Sequence, residues 1–241
     1  GAWSTGGNLN TARTNIANAG TQTSALGFGG DPAPTRAFTE SYNGTSWTEV
    51  GDLNTGRNTM GGSGASNTAA LCFGGTISPA VTELWNGSNW TEVNDLNTGR
   101  LYLSGAGTTT ASIAVGGEVP GGNSAVTELW NGSNWTEVND LNTARYAGAT
   151  AGTTTSALTF GGANPPYANT ESWNGTNWTE VADLSAAKQA MGAAGTSNTS
   201  ALGFGGTSPI TANTEQWNGS SWTEVANLSV ARRQLGGAGT V

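Results

Sequence analysis

The sequence predicts an all-β fold assembled from several copies of one small sheet, and three observations carry that expectation. Residues 84–100, "LWNGSNWTEVNDLNTGR", and 129–145, "LWNGSNWTEVNDLNTAR", agree at sixteen of seventeen positions. The tryptophan that opens "WTEV" or its remnant recurs at Trp3, Trp47, Trp90, Trp135, Trp178 and Trp222, always 43 to 45 residues apart. Each internal copy carries an Asn-Gly pair between two short extended runs, a strong local signal for a tight hairpin. A fixed period of this length is the mark of a repeat architecture.

Each unit reads in one order. After "WTEV" and "DLNTAR" comes a run of small residues, as in "TNIANAGT" and "YAGATAGT". Such a run suits a first strand at a narrow place where backbones crowd together. The second strand, "ALGFGG", "ALCFGG", "SIAVGG" or "ALTFGG", sets large apolar residues two apart and ends in a glycine pair at Gly29, Gly74, Gly116, Gly161 and Gly205. "TELW" and "WTEV" then form the third and fourth strands, joined through Asn-Gly in an expected type I′ turn. Large residues occupy both parities of the sheet, so an isolated sheet would expose apolar groups on both faces. Radial stacking covers both faces at once and predicts a β-propeller of four-stranded blades spanning residues 1–241 as one domain.

The small first strand, the Gly-Gly after the second strand, and the paired aromatic and Trp, such as Trp85 with Trp90 or Trp173 with Trp178, resemble the kelch repeat over nearly the whole chain. The asparagine-rich "WNGTSWTEV" wording is similar to kelch-like repeats in structural proteins of tailed bacteriophages, notably marine ones. The resemblance implies a ring closed by strands from the two chain termini. Five copies of the second and third strands support five blades. The chain also begins on a fourth-strand remnant, "AWST", and ends on a sixth first-strand copy, "ARRQLGGAGTV", so a truncated six-bladed ring is the alternative.

Composition excludes several function classes. The 241 residues hold 38 glycines and ten tryptophans, with only 10% charged residues against roughly 25% in ordinary globular chains. A net charge of −8 repels phosphate backbones, so no nucleic-acid partner is expected. No apolar run is long enough for a membrane-spanning helix, and one cysteine cannot make an internal disulfide. Histidine is absent, which removes Ser-His and Cys-His nucleophile pairs and imidazole metal sites. The copper chemistry of galactose oxidase, a kelch enzyme that relies on histidines, therefore does not carry over. No catalytic residue, metal ligand or cofactor is assigned.

The charged residues that remain follow the repeat. Glu40, Glu83, Glu128, Glu171 and Glu215 are equivalent, as are Glu49, Glu92, Glu137, Glu180 and Glu224. Arg13, Arg57, Arg100, Arg145, Lys188 and Arg232 all end the "LNTAR" motif, and one structural ion pair per blade to a "TE" or "WTEV" glutamate is expected. Cys72 stands at a small-residue packing position and reads as an inert buried thiol. What escapes repetition is the proline-bearing segment between second and third strands: "DPAPTRAF", "TISPAV", "EVPGGNSAV", "ANPPYAN" and "TSPITAN". Variable loops on a rigid scaffold are where recognition resides, so Asp31, Arg36, Glu118, Asn123, Asn164 and Tyr167 are the candidate ligand-binding residues.

The expected function is a non-enzymatic structural or adhesion module, in a virion fibre or another extracellular appendage. It would present these loops to other structural proteins or to cell-surface glycans. The alternative is a carbohydrate-binding lectin with several equivalent sites. Self-association is compatible with either.

Overall fold

The computed structural model describes residues 2–33, 35–77 and 79–240. Five four-stranded antiparallel sheets stand as propeller blades around a channel. Blade 1 comprises Ala17–Thr21, Ser24–Phe28, Thr39–Tyr42 and Trp47–Glu49, and blade 2 Gly61–Ser66, Ala69–Phe73, Thr82–Trp85 and Trp90–Val93. Blade 3 comprises Ser104–Gly107, Ser112–Val115, Thr127–Trp130 and Trp135–Glu137, and blade 4 Ala149–Thr153, Ser156–Phe160, Thr170–Trp173 and Trp178–Val181. Blade 5 comprises Gly192–Ser197, Ser200–Phe204, Thr214–Trp217 and Trp222–Val225. Every blade pairs its strands in chain order, and the first strands line the channel. A short hairpin, Glu118–Val119 with Gly122–Asn123, is added to blade 3, and the turn Thr35–Ala37 is a 3₁₀ helix.

Packing explains why the repeat is conserved from copy to copy. The second strand of blade 2 is buried along Ala70, Leu71, Cys72 and Phe73, which requires a neighbour on each face. First strands must therefore come close: a Cβ added at Gly105 of blade 3 would run into the Phe73 ring of blade 2. From blade 2 onward, the fourth-strand Trp packs on the preceding blade. Phe28 meets Trp90, Phe73 meets Trp135 and Phe160 meets Trp222 with ring centroids 4.7 to 4.9 Å apart and edge-to-face geometry. The same tryptophans donate Nε1–H to a third-strand threonine of that blade: Trp90 to Thr39, Trp135 to Thr82, Trp178 to Thr127 and Trp222 to Thr170.

The expected ion pair occurs once per blade, between the cation and the third-strand glutamate: Arg13–Glu40, Arg57–Glu83, Arg100–Glu128, Arg145–Glu171 and Lys188–Glu215, at 2.6 to 2.9 Å. These side chains are buried, so close geometry and added hydrogen bonds work against the cost of desolvation. Arg100 also donates to the carbonyls of Thr98, Gly116 and Val126. Glu128 accepts further bonds from the backbone N–H groups of Asn97 and Thr98 and from the Asn97 side chain. One carboxylate thus ties the incoming connection, the cation and the third strand together. Burial still pulls the Arg100 and Arg145 guanidiniums below their ordinary pKa, with the partner glutamates working in the opposite direction.

The hairpins between third and fourth strands differ from the expected type I′ turn. Trp130 pairs with Trp135, leaving a four-residue loop, Asn131–Asn134, in which only Gly132 has positive φ, at 95°. The asparagine instead turns its side chain inward, and Asn131 Oδ1 accepts the N–H groups of Ser133 and Asn134 at 2.9 Å each. Side-chain capping replaces the left-handed backbone that a two-residue turn would demand of the asparagine.

The central ring has six positions. The residue two places after each cation adopts a left-handed backbone: Asn15, Thr59, Tyr102, Ala147, Ala190 and Gln234, with φ from 51° to 57°. Their N–H groups donate in sequence to the preceding member's carbonyl, Thr59 to Asn15, Tyr102 to Thr59, Ala147 to Tyr102, Ala190 to Ala147 and Gln234 to Ala190, at 2.7 to 3.3 Å. Such strain persists only where surroundings over-determine it. Residues 235–240 take the sixth channel-lining place: Gly195 N–H donates to Gly239 O, and Asn18 bonds both the N–H and the carbonyl of Gly237. At the rim of this sixth sector stands Trp3, which packs on Phe204 at 5.0 Å and donates to Thr214 Oγ1 at 3.1 Å. The two terminal segments thus hold the first-strand and fourth-strand places of the sixth sector, beside five complete blades.

Candidate functional site

The connections after the fourth strand and the proline-bearing loops share one face, because bonds such as Leu53 N–H to Ala37 O and Arg57 N–H to Arg36 O tie them together. On this face the channel opens into a cavity of about 370 Å³ around the left-handed ring. Tyr102 and Tyr146, one repeat apart in the chain, meet there with centroids 5.5 Å apart and planes inclined by 50°. Glu118 stands beside them, fixed by reciprocal backbone bonds with Leu101 at 2.7 and 3.0 Å. Gln189, Arg233 and Gln234 line the same cavity. Among the described residues, none of these six side chains makes a hydrogen bond or ion pair within the chain. Burial, with the Glu118 carboxylate and the Tyr146 ring nearby, raises the Tyr102 phenol above its ordinary pKa, so it is a neutral donor and acceptor over the physiological range.

The opposite part of the channel, about 400 Å³, is lined by the first strands themselves and is composed of glycine, alanine, serine, threonine and asparagine with a few larger apolar residues. Among the described residues that line it, none carries a charged side chain. Aromatic and ionisable character is concentrated at the mouth.

The six sequence-selected residues divide among three places. Glu118 lines the mouth. Asp31 and Arg36 pair at 3.1 Å in the blade 1 loop. Asp31 also accepts the Asn15 and Asn58 side chains, so it links blade 1 to the connection before blade 2. Burial pushes the Asp31 carboxyl upward, yet the bonds from Asn58, Asn15 and Arg36 outweigh it and leave the pKa below its ordinary value. Asn123, Asn164 and Tyr167 gather where blade 3 meets blade 4. Asn123 Nδ2 donates to the carbonyls of Ala144, Ala163 and Asn164 at 3.2 to 3.4 Å, and Tyr167 Oη donates to Asn164 O at 3.5 Å. The Arg145 guanidinium lies 5.6 Å from the Tyr167 ring centroid. These contacts occupy much of the polar capacity of the group and hold the loop in place.

Sequence reasoning passed over Tyr102, Tyr146, Gln189, Arg233 and Gln234. A signal was present, because the two residues after the fixed cation change in every copy: Thr-Asn, Asn-Thr, Leu-Tyr, Tyr-Ala, Gln-Ala and Arg-Gln. The stretch before them barely varies, whereas the residue after them is Ile16, Met60, Leu103, Gly148, Met191 or Leu235. Among the described residues no group of three or more carboxylate or thiol ligands is placed to hold a metal ion. Compared with protein-family models and with curated protein sequences, the chain has no significant match.

Proposed function

We propose that this protein is a non-enzymatic recognition module whose rigid ring presents the axial mouth to a polar ligand, a glycan on a cell surface. One observation carries the reading: Tyr102 and Tyr146 stand inclined beside Glu118, and the hydrogen-bonding groups around them are unengaged within the chain. Aromatic faces pack against the apolar faces of sugar rings while neighbouring carboxylate, amide and phenol groups bond the hydroxyls. Among the described residues that line the mouth Glu118 is the one carboxylate, and Asp31, which holds the equivalent place in blade 1, is engaged by Asn15, Asn58 and Arg36, which speaks against the free acid pair of glycoside hydrolysis.

The kelch-like order of the repeat and its asparagine-rich wording support a place among the structural proteins of phage virions, as an appendage or fibre module. The sparse charge suits an extracellular particle. A lectin with several equivalent sites is the second reading, favoured by the fivefold repetition of the exposed Asn-Gly hairpins.

A glycan array followed by calorimetry on the best binder separates the two. One site per chain, weakened at least tenfold by Tyr102→Ala or Tyr146→Ala while the fold is retained, is expected. About five sites per chain, indifferent to both substitutions, would establish the second reading, and absence of binding to any glycan would remove both.

A further inference from the structure

The mouth holds one more polar group besides its rings and its carboxylate. Thr59 lines the same cavity, and its carbonyl accepts the Tyr102 N–H at 2.7 Å. The residue is only 7% exposed, and of the buried side-chain oxygens among the described residues its Oγ1 alone has no hydrogen-bond partner. A buried hydroxyl left in that state costs about 1–3 kcal/mol. Glu118 is tied to Leu101 and Thr59 to Tyr102, so carboxylate, hydroxyl and phenol ring are held around one dipeptide, with Tyr146 against Tyr102.

This group suits a positive charge that also donates hydrogen bonds. The Tyr102 and Tyr146 centroids are 5.5 Å apart, so one cation can lie within the range of about 6 Å over which each ring attracts it. Glu118 is paired with no cation among the described residues. After burial, its charge is the largest influence raising the Tyr102 phenol, and Asp31 adds to it, so the ring stands in a negative field. Arg233 reaches the same cavity from another sector. Residues 235–240, which follow it, bond both Gly195 of blade 5 and Asn18 of blade 1, which sets that sector three places around the ring from blade 3 in either direction.

We propose that the mouth binds a primary ammonium group carried on a sugar, so that its ligand is a glycan with free, unacetylated amines. The proposal rests on the mouth being a glycan site and narrows the class of glycan. A primary ammonium brings three N–H donors. One is given to a Glu118 oxygen and one to Thr59 Oγ1, while the faces of Tyr102 and Tyr146 meet the remaining positive charge. The sugar ring that carries the amine extends into the rest of the cavity. A quaternary ammonium has no N–H to give and leaves Thr59 unsatisfied, and an acetylated amine has no charge for the rings or the carboxylate. Both are therefore poorer guests.

The test is calorimetry on the full chain at pH 6 and physiological ionic strength, with a glucosamine trisaccharide, its fully N-acetylated counterpart and choline as probes. One-to-one binding of the glucosamine trisaccharide is expected, with the other two weaker by about tenfold or more. Glu118→Gln removes a charge-assisted bond and should weaken binding about tenfold or more, and Thr59→Val by a few fold. Glu92→Gln, the same charge change at an exposed outer-strand position, should leave binding as it was. Equal losses from Glu92→Gln and Glu118→Gln would mean general attraction to an acidic surface and would overturn the proposal. Binding of choline as tight as that of the trisaccharide overturns the primary amine. Equal binding of the acetylated probe, indifferent to Glu118→Gln but lost in Tyr102→Ala, overturns the ammonium while the mouth stands as a site for neutral glycans. Absence of binding by all three probes overturns the proposal as well, and the glycan array then decides separately whether the mouth is a glycan site.

Discussion

At the scale of single residues, the buried ion pairs set the largest expected effects. Replacing Arg100 with Met leaves the Glu128 carboxylate buried without its cation, and loss of one partner of such a pair costs about 3–5 kcal/mol. Chemical denaturation should show a loss of that size for Arg100→Met and a smaller one for the Arg100→Met, Glu128→Leu double variant. Asp31 gives a different signature. Its pKa is lowered in the folded state, so its contribution is present above the unfolded value and is lost as pH falls through the folded one. Melting curves from about pH 5 to pH 2 should therefore fall less steeply in Asp31→Asn than in the parent protein. Cys72 is fully buried, and burial pushes its thiol up to about 11. It takes no part in surface chemistry.

At the scale of elements, the blade is a unit whose sequence can be read almost directly. Apolar residues two apart, a glycine pair and an Asn-Gly pair place the second, third and fourth strands, because each signal depends on neighbours within a few residues. The ion pairs could be anticipated as well, since one cation and one glutamate recur with the period. The turn type could not: Asn-Gly also serves a four-residue loop in which asparagine caps with its side chain, and loop length depends on strand register. Asn131→Ala removes an acceptor for two N–H groups at an exposed turn and should cost about 1 kcal/mol. Thermal unfolding of Asn131→Ala beside Asn174→Ala should give equal losses, because the two loops are built alike.

At the scale of the whole molecule, position around the axis decides what the chain alone does not reveal. Tyr102 and Tyr146 are far apart in sequence and become neighbours only because first strands converge on the channel. Glu118 was identifiable because its loop breaks the repeat; the tyrosines lie in a two-residue variable pair directly after the fixed cation, too short to stand out from the scaffold motif before it. Blade count has the same origin. Five middles and six copies of the cation are countable in the sequence, and the structure sets them as five complete blades around a ring of six left-handed positions. Because the amides of Tyr102, Ala147 and Ala190 bond from one blade to the next, their exchange requires blades to separate. Hydrogen-exchange measurements should find them more protected than the loop amides of Ser133 or Thr176.

Those ring bonds also bear on the field at the mouth. In a helix, peptide dipoles align and leave a partial charge at each end. Here five N–H to carbonyl links follow one another around the axis from Asn15 to Gln234, so their dipoles turn with the ring instead of adding along one line. Among the described residues that line the entrance, the charged side chains are Glu118 and Arg233, one of each sign, so their formal charges balance there.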